Sequence, residues 1–229
     1  MRSNPFTDFF NLLFPDLCVV CGENLLQTEQ HICFNCLHSI PKTNYHLEVN
    51  NLIEKRFWGK APVCRGTAFF FFHKGSPFQK LLHSLKYKGN KEIGVVLGKY
   101  AAADLLDSPD FLTIDLIVPV PLHPMRYKRR GYNQSECIAQ GLSAILGKPI
   151  DASTLCRVHE NTTQTKKSVY ERYENTEGIF ELMNKNTFSG KHILLVDDVL
   201  TTGSTLEACI QTLLETENIN ISIFTLAVA

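Results

Sequence analysis

The sequence predicts an α/β protein: a parallel sheet flanked by helices, with a small cysteine-bound module ahead of it. Three observations carry that expectation. From Gly66 onward, apolar runs short enough to be strands alternate with amphipathic stretches. Those runs are apolar at nearly every position rather than at alternate ones, as strands buried on both faces require. Finally, Cys18, Cys21, Cys33 and Cys36 form two Cys-x-x-Cys pairs close together near the N-terminus, while the other cysteines are scattered.

The elements follow in order. Residues 1–45 are loop-rich around the cysteines, and residues 46–64, mixed and poorly periodic, read as a linker. The main domain then spans 65–229, beginning with the strand "GTAFFFFHKG". In "SPFQKLLHSLKYKG" a Ser cap and a Pro at the first position precede Phe78, Leu81, Leu82 and Leu85 at helical spacing. "NKEIGVVLGKYAAADLL" reads as a second helix, and "IDLIVPVPL" as an apolar strand stopped by prolines. "NQSECIAQGLSAILG" reads as a helix ending at glycine. The strand "KHILLVDD", ending at Asp197-Asp198, the helix "STLEACIQTLLETE" and the strand "NISIFTLAVA" complete the chain.

Bulk properties exclude several classes. Lys and Arg total 23 against 23 Asp and Glu, so no global field draws the chain to a polyanion, and a nucleic-acid role would need a local patch. The N-terminal "MRSNPFTDFFNLLFPDLC" is interrupted by Asp8 and lacks a small-residue cleavage site. No stretch approaches the roughly 20 apolar residues of a membrane span. A cytoplasmic protein without membrane insertion is expected, and its reducing surroundings argue against disulfides. Cys64, Cys137, Cys156 and Cys209 then read as small core residues.

In "HILLVDDVLTTGST" two like charges sit side by side at the end of a buried strand. Burying either costs several kcal/mol unless something partners it. The loop Thr201-Thr202-Gly203-Ser204-Thr205 follows, then a helix, at the place where parallel sheets bind ligands. Its small hydroxyl side chains, its glycine and the following helix N-terminus make a cup for one phosphate. Asp197 and Asp198, as acceptors, suit vicinal hydroxyls, directly or through a divalent cation. A phosphate beside a diol is a ribose 5-phosphate. This segment resembles the phosphoribosyl-diphosphate signature of the type I phosphoribosyltransferases. The resemblance implies that Asp197 and Asp198 hold the ribose hydroxyls at the catalytic centre and that Thr201 to Thr205 hold the 5-phosphate.

In "VPVPLHPMRYKRRGYNQSE", Pro119 and Pro121 rigidify the strand exit and prevent an ordinary helix start. Arg126, Lys128, Arg129 and Arg130 then crowd together, and guanidinium forks match a diphosphate. Arg126, Arg129 and Arg130 are the candidates, with a solvated charged turn as the competing reading. His123 is either an acid or base or a structural hydrogen-bonding residue. The stretches Pro119 to His123 and Arg130 to Glu136 resemble the P-x-P-L-H and R-G-[FY]-N-Q-S-E segments of the ComF family. "RVHENTTQTKKSVYERYENTEGIFEL" is polar, as lids often are, and resembles that family's flexible loop through Arg157, Gln164, Arg172, Asn175 and Phe180. Lys166 and Lys167 within it could meet phosphate or nucleic acid, or simply be solvated.

Two Cys-x-x-Cys knuckles suit one tetrahedral zinc, closed by four thiolates and therefore structural. A redox dithiol is the alternative, and His31 and His38 rank below the cysteines as ligands. The module, a zinc ribbon, also resembles the ComF family. That resemblance implies a phosphoribosyltransferase-like protein that binds phosphoribosyl diphosphate with magnesium and serves DNA uptake in natural competence. The alternatives are a non-catalytic sensor or adaptor beside a DNA-uptake helicase and single-stranded DNA, and a metabolic phosphoribosyltransferase. No segment reads as a glutaminase domain, so amide transfer from glutamine is not expected of this chain alone.

Overall fold

The computed structural model describes residues 15–158 and 179–229. After the cysteine knuckles come α1 (Phe34–His38), α2 (Leu52–Phe57), β1 (Gly66–Phe71), α3 (Gln79–Tyr87) and α4 (Glu92–Leu105). Next are α5 (Pro109–Leu112), β2 (Leu116–Pro119), α6 (Pro124–Arg130), α7 (Gln134–Leu146) and β3 (Leu155–Arg157). The chain closes with β4 (Phe180–Leu182), β5 (His192–Leu200), α8 (Ser204–Leu213) and β6 (Asn220–Val228). The main sheet has the order β1-β6-β5-β2, with every pair parallel. β3 and β4 form a separate antiparallel pair.

The apolar runs act as double-sided strands. Leu194, Val196, Phe224 and Leu226 face a core shared with α3, α4 and α7. Their neighbours Ile193, Leu195, Ile221 and Ile223 face a second core shared with α2, α8 and the β3–β4 pair. A parallel sheet between two helical layers follows from that alternation. On the first face, α4 and α7 approach so closely that a Cβ on Gly141 would lie 2.2 Å from the Val95 carbonyl oxygen.

Several sequence expectations need correction. Residues 46–64 do not behave as a linker, because α2 lies within them and buries Ile53 and Phe57. Pattern reading missed α2 because a polar network anchors it. Arg65 donates to Glu54 at 2.9 Å, pairs with Asp110, and reaches the Glu48 carbonyl at 3.0 Å. Asn51 caps α2 and donates to the Gly66 carbonyl at 2.8 Å. The cysteine region also joins the first core, since Cys18, Val20, Ile32 and Cys33 are buried in the cluster that contains Leu81 and Leu85. Among the scattered cysteines, Cys137 and Cys209 are buried, whereas Cys64 is exposed and Cys156 half-exposed.

One further correction shapes the site. β5 does not end at the aspartates but runs through Val199 to Leu200, paired with β6 as far as Leu200↔Val228. β2 stops earlier, at Pro119↔Val196, where proline begins to remove ladder donors. From Asp197 onward, one edge of β5 is therefore open. That is the crevice.

Candidate functional site

Both carboxylates of the acidic pair reach this crevice with partners in place. Asp197 accepts from the Ser135 hydroxyl at 3.0 Å and from the Asp198 N–H at 2.8 Å. Asp198 pairs with Lys86 Nζ at 3.0 Å. Burial, then the adjacent Asp198 charge, pushes the Asp197 carboxyl up to about 7, against the hydrogen bonds that hold it down. An acid poised there can lose its proton to a ligand's demand near neutral pH.

The motif Arg130 to Glu136 explains the crevice wall. Tyr132 O–H donates to the Leu85 carbonyl, tying this wall to the last turn of α3. Asn133 donates to the Val120 carbonyl at 2.9 Å, and its own oxygen caps α7 through the Ser135 N–H at 3.1 Å. Arg130 donates to Gln134 at 2.5 Å and stacks on Tyr87, 5.4 Å from its ring centre. Arg130, Tyr132, Asn133 and Ser135 thus tie the cleft wall to other elements.

The expected basic turn is in fact the helix α6, with Pro124 at its start and His123 as its cap. His123 Nδ1 accepts from the Met125 N–H at 3.2 Å, which is the structural role considered for it. Helical geometry then sorts the arginines. Arg126 and Arg130, four apart, share the face that lines the cleft. Arg129 is exposed and does not line it. Arg157 enters from β3 and lies 5.3 Å over the Phe180 ring. Burial, then the like charge of Arg126, weakens its hold on its proton. Gln164 and Arg172, together with Lys166, Lys167 and Asn175, lie outside the described residues.

The loop after β5 presents Thr201 and Thr202 to solvent, and Thr205 lines the cleft. Ser204 is tied to Thr202 through hydroxyls 3.1 Å apart. Gly203 caps α8 at φ 89°, a conformation that suits glycine, and offers no side-chain cap. The Ser204 N–H donates to the Thr202 hydroxyl at 3.4 Å, so the loop hydroxyls and the start of α8 form one small polar turn at the cleft. Sequence reasoning missed Lys86. The available signal was its place four residues after Leu82, a charge on the apolar stripe of α3.

Near the N-terminus, the sulfurs of Cys18, Cys21, Cys33 and Cys36 all lie within 4.8 Å of one another. Zinc–sulfur bonds of about 2.3 Å at tetrahedral angles give sulfur separations of about 3.8 Å. Cys21 and Cys33 sulfurs are 3.8 Å apart. The N–H groups of Cys33 and Cys36 donate to the sulfurs of Cys18 and Cys33 at 3.4 Å each. Burial pushes the Cys18 thiol up, yet backbone N–H groups of Cys21, Cys33 and Val20 bring it down to about 6. Burial, then the neighbouring thiols, raises Cys36. Four sulfurs at this spacing, one of them readily ionised, form a donor set that fits a metal such as zinc.

Comparison with known proteins places this architecture. A family described as phosphoribosyl transferase domain matches residues 132–228. The DNA utilization protein YhgH of Escherichia coli strain K12 is 31% identical over 202 residues, covering 86% of this chain and 84% of that protein. Competence protein F of Haemophilus influenzae is 31% identical over 193 residues, covering 82% and 74%. Competence protein ComFC of Bacillus subtilis is 38% identical over 207 residues, covering 83% and 81%. Fold, cleft and domain match define a type I phosphoribosyltransferase-like protein. The chain belongs to the ComF family, whose members include competence proteins.

Among the described residues, no helix is long and apolar enough to cross a membrane.

Proposed function

We propose that the cleft binds phosphoribosyl diphosphate and that the chain acts as a phosphoribosyltransferase-like protein of DNA uptake. One observation supports this reading above the others. Arg130 and Arg157 both line the cleft, and each keeps a buried Nε–H with no partner among the described residues. Leaving a charged donor unsatisfied is costly, so the wall is arranged for an anion. The carboxylates beside it accept hydroxyl protons, and the polar turn of the Thr201–Thr205 loop suits a second anion. A ligand with phosphate at one end, a diol in the middle and diphosphate at the other meets all three demands.

In this reading Asp197 and Asp198 orient the ribose, Thr201 to Thr205 hold its 5-phosphate, and Arg126, Arg130 and Arg157 hold the diphosphate. Magnesium, when bound with the ligand, neutralises charge on the departing diphosphate. The protein's share of a transfer step is to fix C1 of the ribose and to stabilise diphosphate as it leaves. Zinc in the cysteine module carries no step and is structural. The names of the relatives, DNA utilization and competence proteins, support the uptake role.

The test is calorimetric titration with phosphoribosyl diphosphate and magnesium, followed by measurement of diphosphate release with nucleobases and amines as acceptors. Saturable binding with release supports a transferase. Binding with no release under any acceptor supports the sensor reading, with a helicase or single-stranded DNA as partner. No binding at all overturns both.

A further inference from the structure

The last turn of α3 is built into the cleft from outside the matched domain segment. Leu82 and Leu85 anchor it in the core, and Tyr132 holds the Leu85 carbonyl. The next residue, Lys86, lines the cleft and meets Asp198, and the one after it, Tyr87, carries the stacked Arg130 guanidinium. Lys86 therefore stands between the carboxylate pair and the arginine wall. Its backbone is fixed, while its four-carbon stem leaves the amine free to pivot.

Four cations, Lys86, Arg126, Arg130 and Arg157, face two carboxylates here. Without ligand, Lys86 neutralises Asp198. A bound sugar brings its own hydroxyls to Asp198, and its diphosphate arrives beside Arg130, next to the same amine. We propose that Lys86 is a ligand-exchanged cation that pairs with Asp198 in the free chain and moves to the diphosphate in the complex. This rests on the reading of the cleft as a phosphoribosyl diphosphate site and adds a diphosphate ligand from outside the signature loops. The exchange replaces one charge-assisted contact by another.

The experiment compares wild type, Lys86→Met and Lys86→Arg in titrations with inorganic diphosphate plus magnesium and, separately, with ribose 5-phosphate. Circular dichroism verifies folding, and Lys86→Gln replaces the Met variant if that variant does not fold. The expected result is a loss of roughly tenfold or more for diphosphate in Lys86→Met, as for removal of a charged hydrogen bond. Ribose 5-phosphate affinity should stay within about threefold, and Lys86→Arg should keep diphosphate affinity within about the same range. Equal losses for both ligands would make Lys86 a support for Asp198 alone and overturn the exchange. Wild-type binding that the Met variant leaves unchanged would overturn the Lys86 assignment while leaving the site reading intact. Failure of wild type to bind either ligand would overturn both.

Discussion

The Ser135 hydroxyl lies 3.0 Å from Oδ1 of Asp197, so the first turn of α7 and the open end of β5 meet at one carboxylate. This contact opposes the burial that raises Asp197, and Ser135 thereby acts as a positioning residue. Ser135→Ala should push the carboxyl further up. The pH midpoint for binding phosphoribosyl diphosphate should then rise above about 7, with Ser135→Thr restoring it, because a diol prefers the ionised acceptor. Binding measured from pH 5.5 to 8.5 checks this, and an unmoved midpoint counts against it.

Asp197 also predicts how stability varies with pH. Its folded value of about 7 lies above the ordinary carboxylate value. Between the two, the folded chain holds a proton that the unfolded chain has released, so folding stability falls as pH rises through this window and then levels off. Asp197→Asn removes that dependence. Urea midpoints should show the variant gaining on wild type between about pH 4.5 and 7.5. A constant difference across the range would mean that Asp197 is ionised throughout.

The cysteine module should bind one zinc per chain and stabilise more than itself. Lys80 of α3 donates to the Val20 carbonyl at 2.8 Å, and Cys18 and Cys33 are buried in the main core. Cys33→Ser should therefore lose zinc by metal analysis and lower the melting temperature of the whole chain in one transition. Two separate transitions in calorimetry, with the larger one unmoved, would show an independent module.

The arginines of α6 should divide by helical face. Arg126→Ala and Arg130→Ala should each weaken diphosphate binding by roughly tenfold, whereas Arg129→Ala should change it by less than about threefold. Titrations of the three variants decide this, and a strong effect at Arg129 would mean that α6 turns on ligand binding.

Much of this was legible from residues. The unbroken apolar runs located β5 and β6 because a doubly covered sheet admits few polar side chains. The acidic pair stood out because buried like charges need a reason. Other features were hidden by the rule that made the strands visible. α2 buries Asn51 and Glu54 through hydrogen bonds, so its polarity resembled a linker. Val199 and Leu200 were the signal that β5 continues past the aspartates, but the hydroxyl-rich loop drew the boundary forward. Lys86 and Ser135 depend on partners 112 and 62 positions away, Asp198 and Asp197, and single-sequence spacing carries no such distance.

The central claim is that Asp197 and Asp198 receive the hydroxyls of a phosphorylated ribose. The most direct measurement is calorimetric titration of phosphoribosyl diphosphate with magnesium into wild type and the Asp197→Asn, Asp198→Asn double variant. The account predicts saturable binding to wild type and a loss of roughly a hundredfold or more in a variant that still melts cooperatively, as two charged acceptors are neutralised together. Affinity unchanged by the double substitution would contradict it.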